Sequence, residues 1–165
     1  MLALEMDKDV KVSEVHGMAQ RGGSVVTYVR MGDTVDSPII EEGGADFMLS
    51  FEMLEALRSI HLMKKDGSVV VNSREIDPMP VIIGLQKYPD NLKEELKGRI
   101  STHFVDAVPI AAELGDVRSV NTIMIGRLAK IMGIEKQKWI NAIQKCVPES
   151  TIEMNIQAFE RGYSL

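Results

Sequence analysis

The sequence predicts a mixed α/β fold, in which a mostly parallel sheet is joined by an inserted β-hairpin and followed by several helices. Residues 45–51 (ADFMLSF) form a short, almost wholly apolar run, as expected of a strand buried on both faces of a parallel sheet. A helical period over residues 52–63 and a second apolar run, SVVVN at 68–72, come next. Strand, helix and strand thus follow one another within about thirty residues, which is typical of a βαβ unit.

The first forty residues carry the signals for one helical turn and three strands. Residues 2–6 are apolar but too few for a complete helix, and the valines at 10, 12 and 15 predict a strand. Further strands are predicted over 24–31 and 34–40, with Gly32 and Asp33 as the turn between them. We therefore expect a hairpin over residues 24–40.

The middle of the chain gives shorter signals. Lys64 to Gly67 place cations and a glycine where the predicted helix would end, just before the strand at 68–72. Further along, the sequence predicts a short strand at 81–83, a helix at 91–99, a strand at 102–108, and a helical segment at 110–114 that ends at Gly115.

The last third of the chain is predicted to be helical. A helix is expected over 121–131 with Asn121 suited to capping, and an amphipathic helix over 135–147 carries the only tryptophan. A third helix is expected over 150–163, where Ser150 and Glu153 have the spacing of a capping box.

Length and composition favour one domain, 1–165, long enough to bury a core. The formal net charge of −5 argues against nucleic-acid binding, which usually requires a basic face. No apolar run approaches the roughly 18 residues of a membrane helix, and the acidic N-terminal residues are not those of a signal peptide. We therefore expect a cytoplasmic protein without a nucleic-acid or membrane partner.

The chain holds one cysteine, Cys146, and three histidines, His16, His61 and His103. One thiol can neither close an intrachain disulfide nor supply the four cysteines that an iron–sulfur cluster usually needs. Cys146 falls in an amphipathic pattern, so we expect a small buried apolar side chain. The histidines are far apart and lack metal-ligand spacing, so no metal site is predicted.

Residues 13–30, SEVHGMAQRGGSVVTYVR, combine polar side chains with glycines between two predicted strands. Such a segment is a candidate for a binding or docking surface. The alternative is a simple turn at Gly22 and Gly23, with His16 as a hydrogen-bonded structural side chain. The local residues alone leave both interpretations open.

This segment resembles the signature of the small, γ-type subunit of indolepyruvate:ferredoxin oxidoreductase, in the 2-oxoacid:ferredoxin oxidoreductase family. His16, Met18 and Gln20 favour the branch that acts on aryl-pyruvates. The resemblance extends to five further stretches, at residues 36–40, 45–58, 67–72, 121–126 and 155–163.

Members of this family usually begin with a strand, a glycine-rich loop and a helix. Residues 2–6 resemble the end of that helix, and no equivalent of the glycine-rich loop precedes them here. The resemblance therefore implies a Rossmann-like fold that lacks its first β–α unit and has an apolar sheet edge open to a partner. Contacts to a nucleotide or coenzyme A at that loop are not carried over to this chain.

The resemblance implies oxidative decarboxylation of a 2-oxoacid to an acyl-coenzyme A, with electrons passed to ferredoxin. Thiamine diphosphate and the iron–sulfur clusters are expected on a large partner subunit, and no cofactor or catalytic residue on this chain. The expected role is to dock on that subunit and to shape the site where coenzyme A or substrate enters. The candidate ligand- or partner-binding residues are His16, Gln20, Arg21, Gly22, Gly23, Ser24, Glu52 and Asn121.

Each candidate has a structural alternative. Arg21 suits two-pronged binding of a phosphate or carboxylate, or a salt bridge to Glu14 or to another nearby acidic residue. Glu52 and Asn121 follow predicted strands or open helices, so for both residues helix capping or compensation of the helix dipole in the first turn is favoured over ligand binding. For the whole chain, a non-catalytic interaction module, such as a homodimer of the isolated chain, and a free-standing nucleotide- or coenzyme A-binding protein stay open.

Overall fold

The computed structural model describes residues 1–16 and 25–165, and its strands form two separate sheets. Within these ranges the strands are β1 (Asp9–His16), β2 (Val25–Gly32), β3 (Ala45–Ser50), β4 (Met63–Asn72) and β5 (Ser101–Val105). Strands β3, β4 and β5 lie side by side in that order and are all parallel. The mixed α/β class predicted from the sequence is therefore confirmed.

Helices surround the parallel sheet. They are α1 (Leu2–Glu5), α2 (Met53–Ser59), α3 (Met79–Ile82), α4 (Leu92–Arg99), α5 (Ala107–Glu113), α6 (Val120–Met132), α7 (Lys136–Cys146) and α8 (Ile152–Tyr163). Within the described ranges, three short 3₁₀ turns, at 60–62, 117–119 and 149–151, join or extend these helices. The predicted helices of the last third are confirmed, as are the two predicted before them, α4 and α5. Helix α5 ends before Gly115, as predicted, and Gly115 has a φ of +82°.

Strand β4 lies at the centre of the core because successive side chains alternate between the two faces of the sheet. Val69 and Val71 pack in a cluster with residues of α2 and α4. Val70, between them, packs in a second cluster with residues of α5, α6 and α8. All three valines are fully buried, so the run SVVVN has the environment that its composition predicts.

The predicted hairpin over 24–40 is wrong in its second strand. Strand β2 pairs antiparallel with β1 over eight residue pairs, from Asp9 opposite Gly32 to His16 opposite Val25. Residues 34–40 form no strand, and Pro38 lacks the N–H that a strand ladder needs. Asp9 accepts a hydrogen bond from the backbone N–H of Val35 at 2.9 Å, which holds this irregular segment against β1.

Two further predictions at the sheet are corrected. Lys64 to Gly67 belong to β4 instead of ending the preceding helix, because a 3₁₀ turn already ends it at Leu62. Strand β3, at one edge of the sheet, is not buried on both faces, since Asp46 and Phe47 within it are exposed.

Three local predictions also fail. Residues 81–83 form no strand, because the prolines at 78 and 80 preset a helical start and α3 covers Met79–Ile82. Helix α6 begins one residue before Asn121, so Asn121 does not cap it. The capping box at Ser150 is absent, since residues 149–151 form a 3₁₀ turn before α8.

Cys146 is exposed, which corrects the expectation of a buried side chain. It is the last residue of α7, and the residues that this helix buries are Trp139 and Ala142, two turns and one turn earlier. The amphipathic pattern therefore predicts the face correctly, but the helix continues past the surface against which it packs.

Helices α6 and α8 cross with their backbones in contact. A Cβ atom added to Gly126 would lie 2.2 Å from the carbonyl oxygen of Phe159, and one added to Gly162 would lie 1.9 Å from that of Ile123. Thr122 donates a hydrogen bond to the Asn155 side chain at 2.7 Å across the same interface. Only glycine fits at these two positions.

We expect Gly162→Ala to lower the free energy of unfolding by at least about 2 kcal/mol, because the added methyl group must push two helix backbones apart. Gly98→Ala in α4 is the matched control, since nothing lies within 4 Å of the point where its Cβ atom would stand. Alanine there should be neutral or stabilising by up to about 1 kcal/mol. Urea unfolding measures both, and equal midpoints for the two variants would contradict the close crossing.

Candidate functional site

The parallel strands end at a common edge of the sheet. Ser50, Asn72 and Val105 are the last residues of β3, β4 and β5, and Ser50 and Asn72 are buried although they are polar. In α/β proteins ligands bind outside the carboxyl ends of parallel strands. We therefore describe this edge as the candidate site.

Asn72 connects the three strand ends. Its side-chain Nδ2 lies 3.5 Å from the Phe51 carbonyl oxygen, just after β3, and its Oδ1 accepts a hydrogen bond from the Ala107 N–H at 3.2 Å, just after β5. The residue is 1% exposed. Ser73 N–H adds a bond to the Val105 carbonyl at 2.8 Å, so the loops leaving the sheet are fixed relative to one another.

Glu52 is a buried carboxylate that caps α2. Its Oε2 accepts a hydrogen bond from the Glu55 N–H at 2.8 Å, and its Oε1 accepts one from the Tyr88 hydroxyl. Ser50 donates its hydroxyl to the Glu52 carbonyl at 2.7 Å. Both carboxylate oxygens thus have donors, which satisfies a group that is only 7% exposed. The capping alternative for Glu52 agrees with this geometry.

The pKa of the Tyr88 phenol depends in part on the Glu52 carboxylate. Burial raises the pKa of Tyr88 well above its ordinary value of 10.0, and the hydrogen bond to Glu52 and the charge of Glu52 raise it further. Tyr88 therefore stays protonated and donates its hydrogen bond throughout the physiological pH range. It joins the loop before α4 to the first residues of α2.

A cleft of about 630 Å³ opens at the carboxyl edge of β4 and β5. Its lining consists of Ser73, Arg74, Asp106, Val108, Pro109, Val117 and Val120. This volume lies within the usual range for small-molecule sites. The polar lining residues follow the ends of β4 and β5, and apolar side chains from α5, the 3₁₀ turn at 117–119 and the start of α6 supply the rest.

Arg74 and Asp106 give this cleft its charge. Both side chains are exposed, and within residues 1–16 and 25–165 neither is part of a salt bridge or side-chain hydrogen bond. A guanidinium in such a position can bind a carboxylate or phosphate in two-pronged fashion. The cleft can thus hold a ligand with an anionic group and an apolar body.

A second, smaller cleft of about 360 Å³ lies beside Tyr88. It is lined by Met53, Glu75 and residues 88–94. Glu75, Asp90 and Glu94 outnumber Lys93 in the lining, so an anionic ligand is disfavoured there. The cleft at Arg74 is the better candidate for an anion.

The structure locates only some of the predicted site residues. Gln20, Arg21, Gly22, Gly23 and Ser24 lie outside the described residues, and His16 is described only as the end of β1. Glu52 lies at the carboxyl edge of the sheet, as expected. Asn121 is exposed in the first turn of α6, next to Val120, which lines the larger cleft.

Three residues at this edge were not predicted as site residues, namely Asn72, Arg74 and Asp106. A signal for Asn72 and Arg74 exists in the sequence, because they lie at or just after the end of the strand predicted over 68–72, where the chain turns polar. The strand at 102–108 was predicted too long, and Asp106 was therefore counted as part of it. In the structure β5 ends at Val105.

Metal ligands and membrane spans are both missing from the described part of the chain. Residues 1–16 and 25–165 contain no group of three or more histidine, cysteine, aspartate or glutamate side chains that could hold a metal ion. Nor does any helix within those ranges have the length and apolarity needed to cross a membrane.

Comparison with known families matches the entire sequence, residues 1–165, to the pyruvate ferredoxin/flavodoxin oxidoreductases. The chain belongs to this family. The family resemblance inferred from residues 13–30 and the later stretches is thereby confirmed. Within the family, curated relatives fall into groups with different names and different degrees of identity.

Two relatives illustrate these groups. The chain is 41% identical to the indolepyruvate oxidoreductase subunit IorB of Thermococcus kodakarensis, over 97% of this chain and 82% of that protein. It is 27% identical to the pyruvate synthase subunit PorC of Methanocaldococcus jannaschii, over 90% of this chain and 75% of that protein.

Solved structures of this family share the fold. The pyruvate oxidoreductase subunit PORC of Thermotoga maritima matches with a TM-score of 0.67 at 22% identity, over 99% of this chain and 83% of that one. A 2-oxoglutarate:ferredoxin oxidoreductase of Magnetococcus marinus, solved with 2-oxoglutarate, coenzyme A and succinyl-CoA, matches with a TM-score of 0.62 at 16% identity. There the fold covers 99% of this chain but only 26% of that chain.

We expect Asn72→Ala to lower the free energy of unfolding by about 1–3 kcal/mol, because it leaves the Ala107 N–H and the Phe51 carbonyl without their side-chain partner. Asn121→Ala is the control, since Asn121 is exposed and should change stability by no more than about 0.5 kcal/mol. Chemical denaturation of both variants tests this. If the free energies of unfolding of the two variants agree within the error of the measurement, the hydrogen bonds of Asn72 do not stabilise this edge.

Tyr88→Phe should lower stability at pH 7 by about 1–3 kcal/mol, because the buried Glu52 carboxylate loses one of its donors. Because the pKa of Tyr88 is raised in the folded chain, the folded chain holds the phenolic proton more tightly than the unfolded chain does, and this difference contributes to stability. This contribution is fully present below pH 10 and is lost as the pH rises towards the folded-state pKa.

The stability difference between wild type and Tyr88→Phe should therefore narrow above pH 10. Denaturant unfolding of both proteins at pH 7, 9 and 10.5 measures this difference. A difference that stays constant with pH would contradict the interaction between Tyr88 and Glu52.

Proposed function

We propose that this chain is the small subunit of a 2-oxoacid:ferredoxin oxidoreductase of the indolepyruvate or aryl-pyruvate type. The observation that carries the proposal is the identity of 41% over nearly the whole chain to a relative named for indolepyruvate, against 27% to one named for pyruvate. The motif with His16, Met18 and Gln20 favours the same branch. The structure supports the fold of the family, and the sequence supports the substrate class.

The reaction proposed for the complex is oxidative decarboxylation. The bond between the carboxylate and the keto carbon breaks and releases carbon dioxide. The acyl group joins the sulfur of coenzyme A, whose thiol proton is released to solvent, and the two electrons reduce oxidised ferredoxin. This chain has one cysteine, so the clusters that carry these electrons are assigned to the partner. The family resemblance assigns thiamine diphosphate to the same partner. We place the complex in the cytoplasm.

The β1–β2 hairpin supports a docking role for this chain. Val12, Val25 and Val29 are each more than half exposed, and Val12 lies opposite Val29 in the antiparallel pairing. A two-stranded hairpin is marginally stable in water unless its apolar face packs against something else. A partner subunit that covers this face would stabilise the two strands, between which the sequence places Gln20 and Arg21.

The cleft at Arg74 supports a second part of the proposal, the shaping of a ligand path. It lies at the carboxyl edge of the sheet and combines an exposed guanidinium with apolar walls. Coenzyme A and an aryl-pyruvate share an anionic group and an apolar portion. We therefore propose that this edge of the chain faces the entrance of the partner's active site.

Reconstitution tests the proposal directly. The chain is mixed with the large thiamine-dependent subunit of the same organism, and indolepyruvate-dependent reduction of a viologen dye is measured with coenzyme A present. Wild type should raise the rate, and Arg21→Ala should lower this gain by about tenfold or more, because a charge-assisted hydrogen bond is lost. Arg99→Ala is the control, since Arg99 forms an exposed pair with Glu95 on α4.

One result would refute the proposed function, and a second would refute the role of Arg21 in it. A large subunit that is equally active with and without this chain would exclude a functional complex. A rate that is unchanged by Arg21→Ala would exclude Arg21 as a recognition residue, and the docking role would then have to be carried by other parts of the surface.

A further inference from the structure

The segment after β4 exposes an unusual number of large apolar side chains. Residues 76–85, which we name the apolar loop, include α3 and run beyond it. Five of its apolar side chains are about half exposed or more, namely Ile76, Met79, Ile82, Ile83 and Leu85. Leu85 is 77% exposed, and Ile82 is 66% exposed. Single exposed apolar residues are ordinary, but a contiguous group of this kind marks an interaction site.

The backbone of the apolar loop is ordered by its own hydrogen bonds. The N–H groups of Val81 and Ile82 donate to the Pro78 carbonyl, at 2.8 and 3.1 Å. Leu85 donates to the Pro80 carbonyl at 2.9 Å, which closes a second turn after α3. Prolines at 78 and 80 restrict the chain further. The apolar side chains are therefore presented by a defined conformation.

Both ends of the loop are attached to the start of α2. The Arg74 carbonyl accepts a hydrogen bond from the Met53 N–H at 3.3 Å, and the Tyr88 hydroxyl donates to the Glu52 carboxylate. Compact surface loops normally pack their own side chains inwards. This one is fixed at both ends and directs its apolar side chains to solvent, so little conformational entropy remains to be lost when a partner covers it.

The charges around the loop have the pattern of a binding surface. Residues 78–86, PMPVIIGLQ, contain no charged side chain, whereas Glu75, Asp77 and Lys87 flank them. Protein interfaces typically combine an apolar centre depleted of charge with a polar rim. The rim carries both signs, so no strongly acidic or basic partner is indicated. The partner surface should be apolar.

We propose that the apolar loop docks into an apolar groove on the large subunit of the oxidoreductase, and this inference rests on the function proposed above. In the Magnetococcus marinus enzyme the same fold makes up about a quarter of a longer chain, so the rest of that chain is available to cover it. A ten-residue loop supplies only part of the roughly 800 Å² that each partner buries in a stable interface. The large subunit can also cover the valines of the β1–β2 hairpin.

The position of the loop gives this contact a consequence for the site. The loop leaves the carboxyl end of β4 directly after Asn72 and Arg74, so a subunit that covers it lies beside the cleft of about 630 Å³. Docking here would close one side of that cleft without any movement of the sheet. The loop is thus a positioning element for the shared site and has no catalytic role of its own.

The test compares two leucines with similar exposure in different places. Leu85→Asp adds a charge to the apolar loop, and Leu4→Asp adds the same charge to α1, where Leu4 is 64% exposed. Both full-length variants are first checked for an unchanged circular dichroism spectrum and thermal midpoint. Binding to the purified large subunit is then measured by analytical ultracentrifugation, and Ile82→Asp is measured as a second variant in the loop.

We expect Leu85→Asp and Ile82→Asp to raise the dissociation constant by at least about tenfold, and Leu4→Asp to change it by less than about twofold. If wild type binds the large subunit and both loop variants bind it with the same affinity, the inference is overturned and the proposed function stands. No binding by wild type would overturn both. Self-association of wild type that Leu85→Asp abolishes would show that a second copy occupies the loop, and would equally overturn it.

Discussion

The hydrogen bonds of Asn72 are the constraint on which the carboxyl edge of the sheet depends. Backbone hydrogen bonds hold parallel strands side by side, but the loops that follow the strands lack such a ladder of hydrogen bonds. The amide of Asn72 reaches the carbonyl after β3 on one side and the N–H after β5 on the other. An amide is well suited to this position because it offers a donor and an acceptor in one plane. Glu52 with Tyr88, the cleft at Arg74 and the apolar loop all start from chain ends that this side chain fixes.

The buried side chains explain which parts of the fold could be predicted from the sequence. The run at 69–71 and the helical periods after residue 120 reflect burial against neighbours, and burial leaves a pattern in the sequence. The pairing of β1 with β2 left no such pattern, because valines are exposed on both strands and β-propensity does not specify a partner. Helix α3 was also missed, since its isoleucines at 82 and 83 suggest a strand while the prolines before them impose a turn.

The residues of the candidate site likewise differ in how far they could be predicted from the sequence. Glu52 could be predicted because an acidic residue directly follows an apolar strand, although its bond to Tyr88, 36 positions later, depends on tertiary structure. Asn72 was visible as the end of an apolar run but was not distinguished from its neighbours, since a local pattern does not show that one side chain serves three strands. Asn121 was expected to cap a helix, and the helix begins one residue earlier at Val120, with the 3₁₀ turn at 117–119 leading into it.

The single cysteine has a practical consequence that follows from its exposure. Cys146 ends α7, away from the residues that this helix buries, and the chain has no other thiol. A maleimide-linked fluorophore or spin label would therefore attach at one defined place without prior mutagenesis. Distances from this reporter to labels on another subunit would locate the end of α7 within an assembly, in solution and without crystals.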